Sequence, residues 1–150
     1  MALENFVTDD YSSFFWYREA FNKKISNYSE ITSVEFGKGV DNTKNMILVW
    51  NDPETYGYGE QNKKDLWGAI QDKVKEGWFV PSRGEWGAFC YNLGITSSTY
   101  SKYELSNAYL SSSLRNTTRA WGTNIGKNFM DGGSVFRIEI DYWVRLSKTF

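Results

Sequence analysis

The chain has 150 residues, with 17 basic against 18 acidic side chains and a net charge of −1, which suits one domain over 1–150 and leaves little room for two. That balance excludes a binder that works by neutralising phosphates, so no nucleic-acid partner is expected. With no histidine and a single cysteine, Cys90, it also excludes a Ser/His/Asp triad, a Cys/His pair, an imidazole zinc site and an intrachain disulfide.

Met1 to Asn5 carries neither the basic start nor the apolar stretch of a secretory signal. Apolar residues nowhere run for the roughly 18 positions a membrane helix needs, so a soluble chain without membrane insertion is expected. After Asp9-Asp10-Tyr11-Ser12, apolar residues fall at Phe14, Tyr17, Phe21 and Ile25. Their spacing of three, four and four predicts a helix capped by Asp10 or Ser12, so that residues 1–30 form a helical extension or the first helix of the fold. Ile31 to Phe36 alternates like a strand up to Gly37-Lys38-Gly39. Asp41-Asn42-Thr43 reads as a turn, and Met46 to Trp50 as a short buried strand.

A loop rich in Tyr, Gly and Asn follows from Asn51 to Asn62. Leu66, Trp67, Ile70 and Val74 return to helical spacing, with Gly77 as the stop. Trp78-Phe79-Val80 predicts a strand before Pro81, and Ser82 with Glu85 has the spacing of a capping box opening a helix through Trp86, Phe89 and Leu93 to Gly94. From Ile95 onward Ser, Thr, Asn, Gly and Tyr dominate. Strands are expected at Tyr109 to Ser112, Ala120 to Ile125, Val135 to Tyr142 and Trp143 to Ser147, with a turn at Asp131-Gly132-Gly133. Along the third of these, Phe136, Ile138, Ile140 and Tyr142 would face inward while Arg137, Glu139, Asp141 and Trp143 face out. Together the elements predict an α+β fold of mainly antiparallel short strands, two or three helices and long loops.

Few residues invite chemistry. Cys90 sits beside Phe89 and Leu93 with no histidine to lower its pKa, the setting of a packed thiol. No spacing singles out a pair of carboxylates, so no catalytic residue, metal or cofactor is expected. Trp50-Asn51-Asp52 spells the tripeptide that ligates calcium in sugar-binding C-type lectins, but it lacks a partnering Glu-Pro-Asn segment; a strand end turning at Asp52-Pro53 is the better reading.

One string is more specific: Trp78-Phe79-Val80-Pro81-Ser82-Arg83-Gly84-Glu85-Trp86. With Tyr109-Leu110-Ser111-Ser112-Ser113, Ala120-Trp121 and Val144-Arg145-Leu146-Ser147, it resembles the bacterial and phage branch of the C-type lectin fold. That branch includes formylglycine-generating enzyme domains and the variable proteins of diversity-generating retroelements. The likeness is best from about Met46 to Phe150 and loose over the first 30 residues. One cysteine departs from the paired cysteines of the formylglycine-generating enzymes and sets that oxidation aside.

Resemblance to the variable proteins implies a non-enzymatic recognition domain with a scaffold from Met46 to Leu93 and a hypervariable C-terminal surface, its codons rewritten at template adenines. Arg115, Asn116, Thr118, Arg119, Gly122, Asn124, Asp131, Phe136, Arg137 and Asp141 are compatible with such rewriting and are the candidate ligand contacts. Phe136, Tyr142 and Trp143 are the aromatics open to binding, whereas Trp67, Trp78, Trp86 and Trp121 read as core. From Leu114 to Lys148 there are six basic residues (Arg115, Arg119, Lys127, Arg137, Arg145, Lys148) and three acidic ones (Asp131, Glu139, Asp141), which suits a polar or acidic ligand. The expected partner is a surface protein or glycan of a host cell, and the expected location a phage virion or bacterial cell surface. Two other readings stand beside this one: a structural module of a phage tail or surface fibre, and a carbohydrate-binding domain using Tyr56, Tyr58, Tyr142 and Trp143.

Overall fold

A computed structural model describes residues 1–2, 4–18, 27–56, 62–105, 107–127 and 130–149, with the side chains at 55, 56 and 130–132 outside that description. The elements in chain order are β1 (Phe14–Phe15), α1 (Tyr28–Ile31), α2 (Gly39–Asn51), α3 (Pro53–Tyr56), α4 (Leu66–Ala69), α5 (Gln71–Lys75), β2 (Trp78–Phe79) and α6 (Arg83–Asn92). A 3₁₀ turn at Tyr100–Tyr103 leads to β3 (Ala108–Asn116), β4 (Arg119–Ile125), β5 (Met130–Arg137), β6 (Asp141–Tyr142) and β7 (Ser147–Lys148). The fold is α+β: β3, β4 and β5 form an antiparallel sheet, while β1 with β6 and β2 with β7 make two short antiparallel pairs. No helix among the described residues is long and apolar enough to cross a membrane.

Helix α6 follows its local code. The Ser82 hydroxyl oxygen accepts the Glu85 N–H at 3.2 Å, and the Glu85 carboxylate accepts the Ser82 N–H at 2.6 Å, completing the capping box. Gly94 ends it at φ +60°, and Gly77, at φ +91°, closes the preceding helical stretch. That stretch is two short helices meeting at Ile70 rather than one.

Elsewhere tertiary contacts override local pattern. Met46 to Trp50 is helix, not strand: Gly39, Asn42, Thr43, Met46 and Trp50 are buried on one side of α2, while Leu48 is 68% exposed. Two polar residues conceal that face from a hydrophobic count. Asn42 accepts the Ser33 N–H at 2.8 Å and donates to the Ser33 carbonyl at 2.7 Å, and the Thr43 hydroxyl donates to the Gly39 carbonyl while accepting the Val80 N–H. Asp41-Asn42-Thr43 is therefore the first turn of a helix.

The expected helix from Phe14 is likewise overturned where it is described, since Phe14 and Phe15 pair with Tyr142 and Asp141; Phe21 and Ile25 lie outside the described residues. Phe14, Trp16 and Tyr17 are all fully buried, which one helical face does not allow, and the Trp16 indole donates to the Ser111 carbonyl at 2.8 Å. The strand-like alternation from Ile31 yields the last residue of α1 and then an irregular run whose Val34 carbonyl accepts the Gly84 N–H. Asp131-Gly132-Gly133 lies within β5 rather than in a turn. The long strand expected at Val135 to Tyr142 breaks at Ile138–Ile140, leaving Ile140 40% exposed.

Among the described residues two clusters form the core. The larger joins Trp16, Met46, Trp50 and Trp67 to Leu110, Leu114, Ala120 and Phe136 on one face of the sheet. The smaller gathers Trp86, Ile95, Leu105, Tyr109 and Ile125 on the other side. β3 is buried from Tyr109 to Leu114 although it edges its sheet, because its free N–H groups are taken: Leu110 donates to the Trp143 carbonyl, Ser112 to the Pro81 carbonyl and Leu114 to the Thr32 hydroxyl. The serine triplet completes this seam, Ser111 donating to the Trp121 carbonyl and Ser113 to the Ser33 carbonyl, both at 2.7 Å.

Candidate ligand-binding face

Strand register sorts the C-terminal residues into two faces. Leu114, Ala120 and Phe136 are direct partners across β3, β4 and β5 and point into the larger core. One residue along, Arg119 pairs with Arg137 and Trp121 with Val135 on the opposite face. Helix α6 covers one end of that face, where Trp86 lies 5.3 Å from the ring of Tyr109. The other end, around Trp121, is open, with Val135 37% exposed.

At this open end Trp121 sits between two arginines. The Arg83 guanidinium carbon is 4.0 Å from its ring centroid and that of Arg115 is 5.3 Å away, both within cation–π range. Arg83 is the first residue of α6, held there by the capping box and by its own N–H, which donates to the Ser113 hydroxyl at 3.1 Å. Gly133 lets its side chain cross the sheet, since a Cβ at that position would lie 2.9 Å from Arg83 Nη2. Among the described residues no carboxylate lies within ion-pairing distance of Arg83, Arg115 or Arg119, whereas Arg137 pairs with Glu139 at 2.5 Å. Beside the stack a shallow cleft of about 430 Å³ opens between α1 and the sheet, with Tyr28, Ser33, Val34, Arg115 and Trp121 in its walls.

The sequence-derived contacts divide accordingly. Arg115 and Arg137 are exposed, and Arg119 is half-buried with its guanidinium on the Thr118 carbonyl at 3.2 Å. Asn116 and Thr118 shape the β3–β4 turn, where the Asn116 side chain accepts the Thr118 N–H at 2.9 Å. Asn124 donates across to the Ser134 hydroxyl. Gly122 and Phe136 are interior: Phe136 is 7% exposed, and its ring packs directly on Gly122. Neither presents a contact surface. The Asp131 side chain lies outside the described residues, as does the side chain of Tyr56 and all of Tyr58.

Asp141 is in β6, bound by the Ser13 hydroxyl at 2.5 Å and the Lys64 ammonium at 2.7 Å, and these contacts, Lys64 first, hold its carboxyl below the usual carboxylate range. Its contacts join Ser13, next to β1, and Lys64 to β6. Trp143 packs against the smaller core with its backbone bonded to the outer edge of β3, and Tyr142 stacks on Phe136 at 4.4 Å, its phenol pKa raised chiefly by burial. Arg145, 3% exposed, donates to Asn5 Oδ1 and to the Tyr103 and Glu104 carbonyls, while Lys148 lies over Trp78; neither belongs to the face.

Arg83 and Trp121 are the members that sequence reasoning misses. Trp121 reads as core in the sequence, yet it is half-buried on the open face, a position its neighbours Ala120 and Gly122 signal by alternation. The Trp50-Asn51-Asp52 segment ends α2, its Asp52 carboxylate accepting the Glu54 N–H, and no group of three metal-ligating side chains occurs among the described residues. Comparison of the chain with known protein families, curated proteins and solved structures found no match.

Proposed function

We propose that this chain is a non-enzymatic recognition domain of C-type lectin-like fold, related to the variable proteins of diversity-generating retroelements, which presents the open end of the β3–β5 face to a host-cell surface protein from a phage particle or bacterial surface. The observation that carries this reading is the division of labour within one sheet. Leu114, Ala120 and Phe136 lock one face to the core, while Arg115, Trp121, Val135 and Arg137, drawn from all three strands, share the other. Rigid strands are suited to holding such a set in place, and Trp and Arg are the side chains that most often dominate protein interfaces.

The motifs behind the resemblance support the fold reading, because they tie the scaffold together: the Ser82–Glu85 box, buried Trp86, the serine triplet and the Val144-Arg145-Leu146 segment paired to Ala2 and Phe6. A carbohydrate platform has less support, since Tyr142 and Trp143 are engaged by the scaffold.

Two measurements test the proposal. The gene's locus should hold a reverse transcriptase and a near-copy of its 3′ end differing mainly at adenines; a locus with neither removes the diversification claim. In flow cytometry of the labelled domain on a panel of bacterial cells, Val135→Asp and Arg137→Glu should abolish cell binding with the circular dichroism spectrum unchanged. Binding that survives both refutes the assigned face.

A further inference from the structure

Arg83 lies outside the C-terminal contact segment, yet it reaches over β4 to Trp121. Its position is over-determined: the capping box fixes its backbone, the Trp121 ring supports the guanidinium, and Gly133 leaves the space it occupies. Arg115 approaches the same indole from β3. Two planar cations are thus held beside one aromatic ring, with Arg115 and the ring in the wall of a cleft and neither cation paired to a carboxylate among the described residues. A guanidinium matches a carboxylate fork to fork, and one already stacked loses little freedom on binding.

Resting on the recognition reading above, we infer that the Arg83–Trp121–Arg115 stack is the anchor point of the face and takes a carboxylate side chain from an acidic polypeptide segment of the partner. A protein fits better than a sulfated glycan chain. The cations are interleaved with Trp121, Val135 and Val34, the mixture of a protein interface, instead of forming an extended basic track, and the chain as a whole is at −1. The cleft beside the stack accommodates the stem of the side chain, with the Arg115 guanidinium in its wall and that of Arg83 on the Trp121 ring to receive the charge. Arg83 makes this anchor part of the scaffold, whereas Arg115 belongs to the stretch expected to vary.

The test uses the whole domain and three probes in fluorescence anisotropy: a labelled 12-residue peptide alternating Glu and Gly, its Gln counterpart, and a heparin hexasaccharide. The Glu peptide should bind at least about tenfold more tightly than the Gln peptide, and Arg83→Gln or Arg115→Gln should each weaken it by about tenfold, the effect of one charge-assisted bond. Added salt should weaken it as well. Gly133→Ala should also lower affinity with the thermal midpoint unchanged, because the added methyl displaces only the flexible end of Arg83. Should Arg83→Gln not fold, the exposed Arg115 carries the same comparison. Equal binding of the Glu and Gln peptides, indifference to both arginine changes, or tighter binding of the hexasaccharide overturns the inference. If the Glu peptide fails while Arg137→Glu still abolishes cell binding, the anchor falls and the recognition reading stands. If the Glu peptide binds through both arginines while cell binding ignores Val135→Asp and Arg137→Glu, the anchor stands and the wider face falls.

Discussion

Truncating Phe136 to alanine separates scaffold from contact surface. The ring is 7% exposed, stacks on Tyr142 at 4.4 Å with planes 25° apart, packs on Gly122 and belongs to the larger core. Removing a buried Phe side chain costs about 3–5 kcal/mol, from lost transfer energy and the cavity left behind. For a domain of this length about 2–4 °C of midpoint accompanies each kcal/mol, so Phe136→Ala should lower Tm by about 6–20 °C. That is a large share of the roughly 5–15 kcal/mol that typically holds a domain together. Thermal and urea unfolding followed by circular dichroism measure it. In a double-mutant cycle with Tyr142→Ala, the coupling should be about 0.5–1.5 kcal/mol, the worth of a stacked aromatic pair. A Tm within about 2 °C of wild type, combined with lost cell binding, would place Phe136 on the outer face and refute the register assigned to β4 and β5.

Gly122→Ala should destabilise by about 1–3 kcal/mol in urea unfolding, because the new methyl meets both the Phe136 ring and the Tyr109 carbonyl; an unchanged midpoint would show that the sheet yields there. Asp141 adds an acid limb. Its pKa in the folded protein is depressed below 3.8, so its stabilising contribution is present above that value and is lost as pH falls through the folded pKa. Asp141→Asn should therefore flatten the fall in urea midpoint below about pH 4, and an acid limb identical to wild type would refute the pairing with Lys64 and Ser13. Burial pushes the Cys90 thiol up to about 11, so iodoacetamide should label the native protein near neutrality far more slowly than the unfolded chain; equal rates would place the sulfur in open solvent.

Local chemistry is legible wherever it acts over a few residues. Ser82 and Glu85 cap α6 by contacts three residues apart, Gly94 and Gly77 stop helices through their own φ angles, and Ala120 to Ile125 is strand both by pattern and in the structure. Where the decisive partner is far along the chain, the local pattern misleads. Asn42 and Thr43 look like turn residues until Ser33 and Val80 supply their hydrogen bonds, and Phe14 to Tyr17 has helical spacing until β6 and Ser111 claim it. The same holds for the candidate face. Arg115 and Arg137 are visible by type and position, but Arg83 is hidden in a helix-start motif and Trp121 in the habit of burying tryptophan.

By itself, then, the sequence determined the absence of histidine chemistry, the α+β class, the capped helix and the alternation along β4, because each depends on composition or on neighbours within a few positions. The tertiary structure alone decided which side of those strands is open. Facing follows from strand register and from what α2 and α6 cover, and these long-range contacts bury Phe136 and Gly122 while leaving Trp121 between Arg83 and Arg115.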